Sequence, residues 1–94
     1  MKLTKFEAEE LGHKIEVIID EPEMWEGRTG DELEALDKKL IPGEVSLEEW
    51  ELKLLKEEAE DALSAVEANF SAGFPEYRND VRKLQALVKK LEAA

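Results

Sequence analysis

SLEEWELKLLKEEAEDALSAVEANF, residues 46–70, predicts the longest helix in the chain. Apolar side chains recur along it at spacings of three and four, which puts them on one face of an α-helix. They are Leu52, Leu55, Ala59, Ala62 and Val66. Ser46 and Glu49 fit a capping box at the start of this stretch, so we expect a helix over residues 47–69.

A second helix is predicted beyond a break at Gly73 and Pro75. Glycine favours a turn, and proline suits the first turn of a helix. Apolar residues then step by four and three over residues 76–92. They are Tyr77, Val81, Leu84, Val88 and Leu91, with Leu87 on a second contact line. Two consecutive amphipathic helices with a short connector predict a long antiparallel helical hairpin.

A short helix is predicted over residues 30–40. Thr29 and Glu32 fit a capping box at its start, and Pro42 lies just beyond its end. Leucines at spacings of three and four form its apolar face. They are Leu33, Leu36 and Leu40. The preceding residues, 21–29, are expected to form a loop.

Residues 2–20 predict a β-hairpin, because residues 3–9 alternate between apolar and polar and residues 14–20 place three β-branched residues on one face, with Ile18 opposite. One predicted strand has Thr4, Phe6 and Ala8 on the same face, and the other has Ile15, Val17 and Ile19. Gly12 supplies the turn between the two strands, and His13 falls in that turn. A lone hairpin is marginally stable in water, so it must pack on the helices.

A competing interpretation of the same segment is a helix. Thr4 and Glu7 fit a capping box, and Gly12 would then be the stop signal. The hairpin interpretation gives an α+β fold class that is mostly α. It consists of a β-hairpin, one short helix and the helical hairpin, in a single domain over residues 1–94 with one core.

Catalytic and metal-binding chemistry finds little support in the sequence. There is no cysteine, which excludes disulfides and thiolate metal sites. His13 is the single histidine, and no sequence pattern supplies it with an orienting acid and a nucleophile. No stretch fits a phosphate-binding loop or the ligand register of a calcium loop. We therefore expect no enzyme activity, no metal site and no cofactor.

The chain carries 24 acidic and 13 basic residues, a net charge of −11. This balance argues against direct binding to nucleic acid or to anionic membranes, since both need cations at the contact. It favours a larger protein with a basic surface as the partner. The sequence has no cysteine, no signal peptide pattern and no transmembrane stretch, so we expect a cytoplasmic protein.

The acidic charge is densest between residues 20 and 37, where eight acids accompany one base, Arg28. One interpretation is a solvated loop and helix start, in which the acids favour the helix dipole. The other is a docking surface, with Trp25 as an apolar anchor and with charge that steers a basic partner. The predicted contact residues are Asp20, Glu21, Glu23, Trp25, Glu26, Asp31, Glu32 and Glu34.

These patterns favour a small acidic, non-catalytic protein-binding protein. It would be an inhibitor or regulator that occupies a basic surface, including one that normally holds nucleic acid, because spaced carboxylates can imitate phosphates. The alternative is a structural protein that assembles into a homo-oligomer through its helical seams. Residues 76–94 carry five bases and three acids, and these bases are expected to pair with acids of the preceding helix or of another subunit.

Overall fold

Helices make up most of the structure, a computed structural model that describes residues 1–21 and 27–94. The elements are β1 (Lys2–Leu3), α1 (Lys5–Asp20), α2 (Gly30–Lys39), β2 (Gly43–Glu44), α3 (Glu49–Ser71), a 3₁₀ turn (Pro75–Tyr77) and α4 (Arg78–Ala93). The chain divides into two compact units, Met1–Ser46 and Leu47–Ala94. The expectation of one domain with one core stays a prediction.

Residues Lys5–Asp20 form helix α1, so the predicted β-hairpin over residues 2–20 is wrong. Its start is fixed by two reciprocal hydrogen bonds. The backbone N–H of Glu7 donates to Thr4 Oγ1 at 3.1 Å, and the backbone N–H of Thr4 donates to Glu7 Oε1 at 2.9 Å. This capping box satisfies N–H groups that the first helical turn leaves without partners. The competing interpretation of residues 4–7 is therefore confirmed.

The helix interpretation expected a stop at Gly12, but helix α1 continues past this residue. His13 is therefore helical rather than part of a turn. A glycine inside a helix costs about 1 kcal/mol relative to alanine. The burial of one apolar face outweighs this cost. That face consists of Ala8, Leu11, Ile15 and Ile18. The C-cap of the helix is Glu21, whose backbone N–H donates to the carbonyls of Val17 and Ile18, both at 3.1 Å.

Helix α2 confirms the short helix predicted over residues 30–40. Thr29 and Glu32 form the expected capping box, with the backbone N–H of Glu32 donating to Thr29 Oγ1 at 3.2 Å. The leucines of the predicted apolar face are all buried. Helix α2 packs against α1 and runs antiparallel to it, because Asp37 lies beside Gly12 and the later Leu40 shares a groove with the earlier Ala8.

Two short strands close the first unit. Strands β1 and β2 are antiparallel, with Lys2 opposite Glu44 and Leu3 opposite Gly43. The backbone of Met1 extends this pairing, since Val45 N–H donates to its carbonyl at 2.8 Å. The strand pairing therefore joins the two ends of the unit, rather than two neighbouring strands of a local hairpin.

The second unit contains the helical hairpin, with α3 and α4 packed on each other. Helix α3 starts two residues later than predicted, so the capping box at Ser46 is wrong and Glu48 takes the cap position. The reason is that Glu48 and Glu51 repeat the capping spacing. The backbone N–H of Glu48 donates to Glu51 Oε1 at 2.7 Å, and the indole N–H of Trp50 donates to Glu48 Oε2 at 2.8 Å.

A Schellman motif ends helix α3. The N–H of Phe74 donates to the carbonyl of Asn69 at 3.3 Å, and the N–H of Gly73 donates to the carbonyl of Phe70 at 3.1 Å. Gly73 has a φ of +102°, which residues with a Cβ rarely adopt. Pro75 then opens the 3₁₀ turn that leads into α4. The break predicted at Gly73 and Pro75 is therefore confirmed.

Leucines form the buried face of α4: Leu84, Leu87 and Leu91. Val81 and Val88, which belong to the predicted seam, are half-buried. Leu87, placed on a second contact line, is fully buried. None of the helices in the described ranges has the length and hydropathy needed to cross a lipid bilayer.

Replacing Thr4 tests the correction from strand to helix. Thr4→Ala should lower the free energy of unfolding by about 1 kcal/mol, because the helix loses its side-chain cap. Thr4→Ser keeps the hydroxyl and should restore most of the loss. Urea denaturation measures both variants. Equal stability of Thr4→Ala and the parent would contradict the capping role.

Replacing Leu84 tests the buried face of α4. Leu84 is 1% exposed, so Leu84→Asp places an uncompensated charge among apolar side chains. The free energy of unfolding should fall by at least about 3 kcal/mol. Gln85→Asp, the same new residue at the neighbouring exposed position, is the control and should melt near the parent. A cooperative melt of Leu84→Asp at the parental temperature would refute the assignment.

Candidate partner-binding site

Four of the predicted contact residues are exposed carboxylates on the first two helices. Asp20 is the last residue of α1 and Glu21 is its C-cap, while Asp31 and Glu34 lie on α2. Because α1 and α2 are antiparallel, the end of α1 and the start of α2 lie at the same end of the pair. The structure therefore brings Asp20, Glu21 and Asp31 to one end of the first unit, with Glu34 one turn further along α2.

Three of the predicted contact residues lie outside the described residues: Glu23, Trp25 and Glu26. The role of Trp25 as an apolar anchor stays a prediction. The segment that contains these residues joins the end of α1 to the loop before α2, so the described acids flank it on both sides in the sequence.

Glu32 has a structural role that a docking surface does not require. Its Oε2 accepts a hydrogen bond from Arg28 Nη1 at 3.0 Å, and its Oε1 accepts one from the backbone N–H of Thr29 at 3.3 Å. These bonds favour the ionised form, so Arg28 first and the Thr29 backbone second hold the pKa of Glu32 below its usual value. Of the predicted contact residues that the structure describes, Glu32 is thus committed to the start of α2.

The outward face of α1 carries further ionisable side chains, Glu9, His13 and Glu16, that the predicted contact set did not include. Glu9, His13, Glu16 and Asp20 follow one another at spacings of four, three and four, and all are exposed. Val17 lies beside them and is 53% exposed. His13 Nδ1 and Glu16 Oε2 are 3.9 Å apart. The sequence could have revealed this face through the three-and-four spacing of the apolar residues on the opposite, buried face of α1. The β-branched residues at every second position from Ile15 to Ile19 favoured a strand instead.

A groove lies between this face of α1 and the end of α2. Its volume is about 480 Å³. The lining residues are Lys5, Ala8, Glu9, Gly12, His13, Glu16, Asp37, Leu40 and Pro42. Ala8, Leu40 and Pro42 supply apolar walls, and charged side chains accompany them. The groove is therefore an apolar depression that is edged by both signs of charge.

Asp37 is half-buried in this groove. Its pKa is raised above the usual value, mainly because burial removes water from the carboxylate and secondly because Glu16 adds a neighbouring negative charge. The two carboxylates belong to different helices, so the packing of α1 against α2 brings them together. Ionisation of Asp37 is consequently less favourable in the folded state than in the unfolded chain, and this difference destabilises the fold.

A second exposed surface lies at the turn between α3 and α4. The rings of Phe74 and Tyr77 meet edge to face with centroids 6.5 Å apart, and the Arg78 guanidinium carbon lies 6.0 Å from the centroid of Phe70. Phe70 and Phe74 are both exposed large apolar residues. The pairing predicted for the bases of residues 76–94 stays a prediction.

Within the described ranges, no three histidine or carboxylate side chains converge in a way that could hold a metal ion. No protein-family model, curated protein or solved structure matches this chain. The candidate site therefore stands on its own geometry, which consists of exposed carboxylates and the groove of the first unit.

Neutralising Asp37 should stabilise the fold in a pH-dependent manner. A carboxyl whose pKa is raised on folding destabilises the folded state above that pKa, and the penalty disappears as the pH falls through the raised pKa to below 3.8, its ordinary value. Asp37→Asn should therefore melt at a higher temperature than the parent at pH 7, and at the same temperature at pH 3.

The control for this prediction is Glu34→Gln, which removes one negative charge from an exposed position of the same helix. It should change the melting temperature much less at pH 7. If Asp37→Asn were less stable than the parent at pH 7, Asp37 would contribute favourable interactions when ionised, and the predicted sign would be wrong.

Proposed function

We propose that this protein is a non-catalytic binding protein that occupies a basic surface of a larger partner protein, as an inhibitor or regulator. The observation that carries the proposal is the placement of Asp20, Glu21 and Asp31 at one end of the antiparallel α1–α2 pair. These exposed carboxylates flank residues 22–26, where the sequence adds Glu23, Glu26 and the anchor Trp25.

Charge favours association with a basic partner over other contacts. The first unit, residues 1–46, carries 13 acids and six bases, a larger excess than the 11 acids and seven bases of residues 47–94. Such a field steers a basic partner and speeds its encounter with the acidic unit. A nucleic-acid-binding surface is one kind of basic surface that fits, since it normally accommodates phosphates. A cytoplasmic location is part of the same proposal.

A second candidate function is assembly with further copies of the chain. The seam leucines of α4 are already buried in the single chain. Self-association would therefore use other apolar surface, and the exposed Phe70 and Phe74 supply it. Exposed aromatic side chains of this kind are common in protein interfaces. An assembled species in sedimentation that Phe74→Ser dissociates would favour this candidate.

The test of the binding proposal is a charge reversal in the acidic segment. Glu23→Lys with Glu26→Lys should slow association with a partner isolated by affinity capture from the native host by about tenfold at low salt. The difference should shrink as salt screens the charges. Stopped-flow mixing or biosensor kinetics over a range of salt concentrations measures the association rate.

The matched control is Glu57→Lys with Glu60→Lys in α3. Both positions are exposed, their spacing equals that of Glu23 and Glu26, and the change in net charge is the same. This control should bind nearly as fast as the parent. If the first variant bound with unchanged rate and affinity, the proposed surface would be refuted. If both variants slowed association equally, the effect would come from net charge rather than from the proposed surface.

A further inference from the structure

The groove between α1 and α2 is lined at one position of α1 by a residue without a side chain. Gly12 lies in the interior of α1 and lines the groove, between Ala8 and Glu16 on the same helix. A larger residue here would extend into the depression that Leu40 and Pro42 edge from the other side.

Neither backbone conformation nor steric conflict demands glycine at this position. Gly12 is not among the glycines with positive φ, and a Cβ built on it would approach Asp37 Oδ1 no closer than 3.8 Å, an ordinary contact distance. Glycine also weakens a helix interior relative to alanine. What glycine contributes at position 12 is open space over the surface of α1, next to Asp37.

The charges around this space favour a cation. Carboxylates approach it from both helices, with Glu9 and Glu16 on α1 and Asp37 on α2. Two other titratable groups line the groove: Lys5, which is cationic, and His13. Three carboxylates therefore accompany one ammonium group and one imidazole in the groove. The repulsion between Glu16 and Asp37 is relieved when a positive group lies between them.

We infer that the groove binds an arginine side chain of the basic partner, an inference that rests on the proposed function. The aliphatic stem lies along Ala8, Leu40 and Pro42, over Gly12, and the guanidinium group lies between the carboxylates of the two helices. Arginine suits this arrangement better than lysine, because its planar group donates several hydrogen bonds in fixed directions and can engage carboxylates on both sides.

The probe for this inference is Nα-acetyl-arginine amide, with Nα-acetyl-citrulline amide as the neutral control of almost the same shape. Each is titrated into the full-length ¹⁵N-labelled protein at constant ionic strength, and backbone amide shifts are followed by NMR. Arginine amide should shift the amides of Gly12, His13 and Asp37 in a saturable manner, and citrulline amide should not.

Variants then locate the effect in the groove. Gly12→Ala should raise the melting temperature, because it favours the helix, and should weaken binding of arginine amide at least about fivefold, because it fills the floor. Its matched control is Gly30→Ala, which also replaces a helical glycine but lies in the first turn of α2 with open space around it. Gly30→Ala should bind like the parent.

Each other result overturns the groove as an arginine site. Shifts confined to the amides of Asp31 and Glu34 would place the cation on the exposed end of the helix pair, and the proposed acidic docking surface would survive. Equal shifts with citrulline amide would exclude recognition of charge. Groove shifts that grow with protein concentration alone would make a second copy of the chain the occupant.

The absence of any shift would also overturn the inference, yet it would leave the proposed function open to its own test. That test is the association rate of Glu23→Lys with Glu26→Lys, which does not depend on the groove. If a partner bound with steep salt dependence while arginine amide did not bind the groove, the proposed function would stand and the arginine site would be refuted.

Discussion

Burial of one face of α1, a helix that packs on α2, is the constraint on which the first unit depends. Leu11, Ile15 and Ile18 are almost completely excluded from solvent, and Leu33 of α2 is as well. Rotating α1 about its axis would expose these side chains, at roughly 1.5–3 kcal/mol each. The rotation is therefore fixed, and with it the outward direction of the polar residues between them. The exposure of the outward face of α1 and the position of the groove both follow from this burial.

The sequence predicted the helices best where leucines repeat at spacings of three and four. Helices α2, α3 and α4 begin and end within about two residues of their predicted limits, which is ordinary uncertainty for helix ends. The predicted start of α3 was wrong because two overlapping segments both have the spacing of a capping box. Glu48 and Glu51 hold the position that Ser46 and Glu49 were expected to take.

The β-hairpin predicted over residues 2–20 was wrong for a different reason. Ile15, Val17 and Ile19 occur at every second position and are β-branched, which favours a strand when considered locally. The three-and-four spacing from Ala8 to Ile18 occupies the same residues, and local alternation cannot decide between the two periods. Tertiary burial favours the helix, because the helix buries four apolar residues of one face and leaves only Val17 largely exposed.

The candidate site was predictable only in part. The exposure of Asp20, Glu21, Asp31 and Glu34 follows from charge density alone, and the use of Glu32 in a cap was implied by its distance from Thr29. The groove was not predictable, because it exists only when α1 is a helix and packs antiparallel to α2. Asp37 and Gly12 are 25 residues apart in the sequence, and no local pattern connects them.

The indole hydrogen bond at the start of α3 bears on how this molecule can be observed by fluorescence. Trp50 is one of two tryptophans in the chain and is tied to Glu48 at a helix end, so its emission will report fraying of α3. Trp25 is the other tryptophan and belongs to the acidic stretch of residues 20–37. A Trp50→Phe background would leave a single tryptophan, and its emission wavelength and quenching would then report on that segment alone.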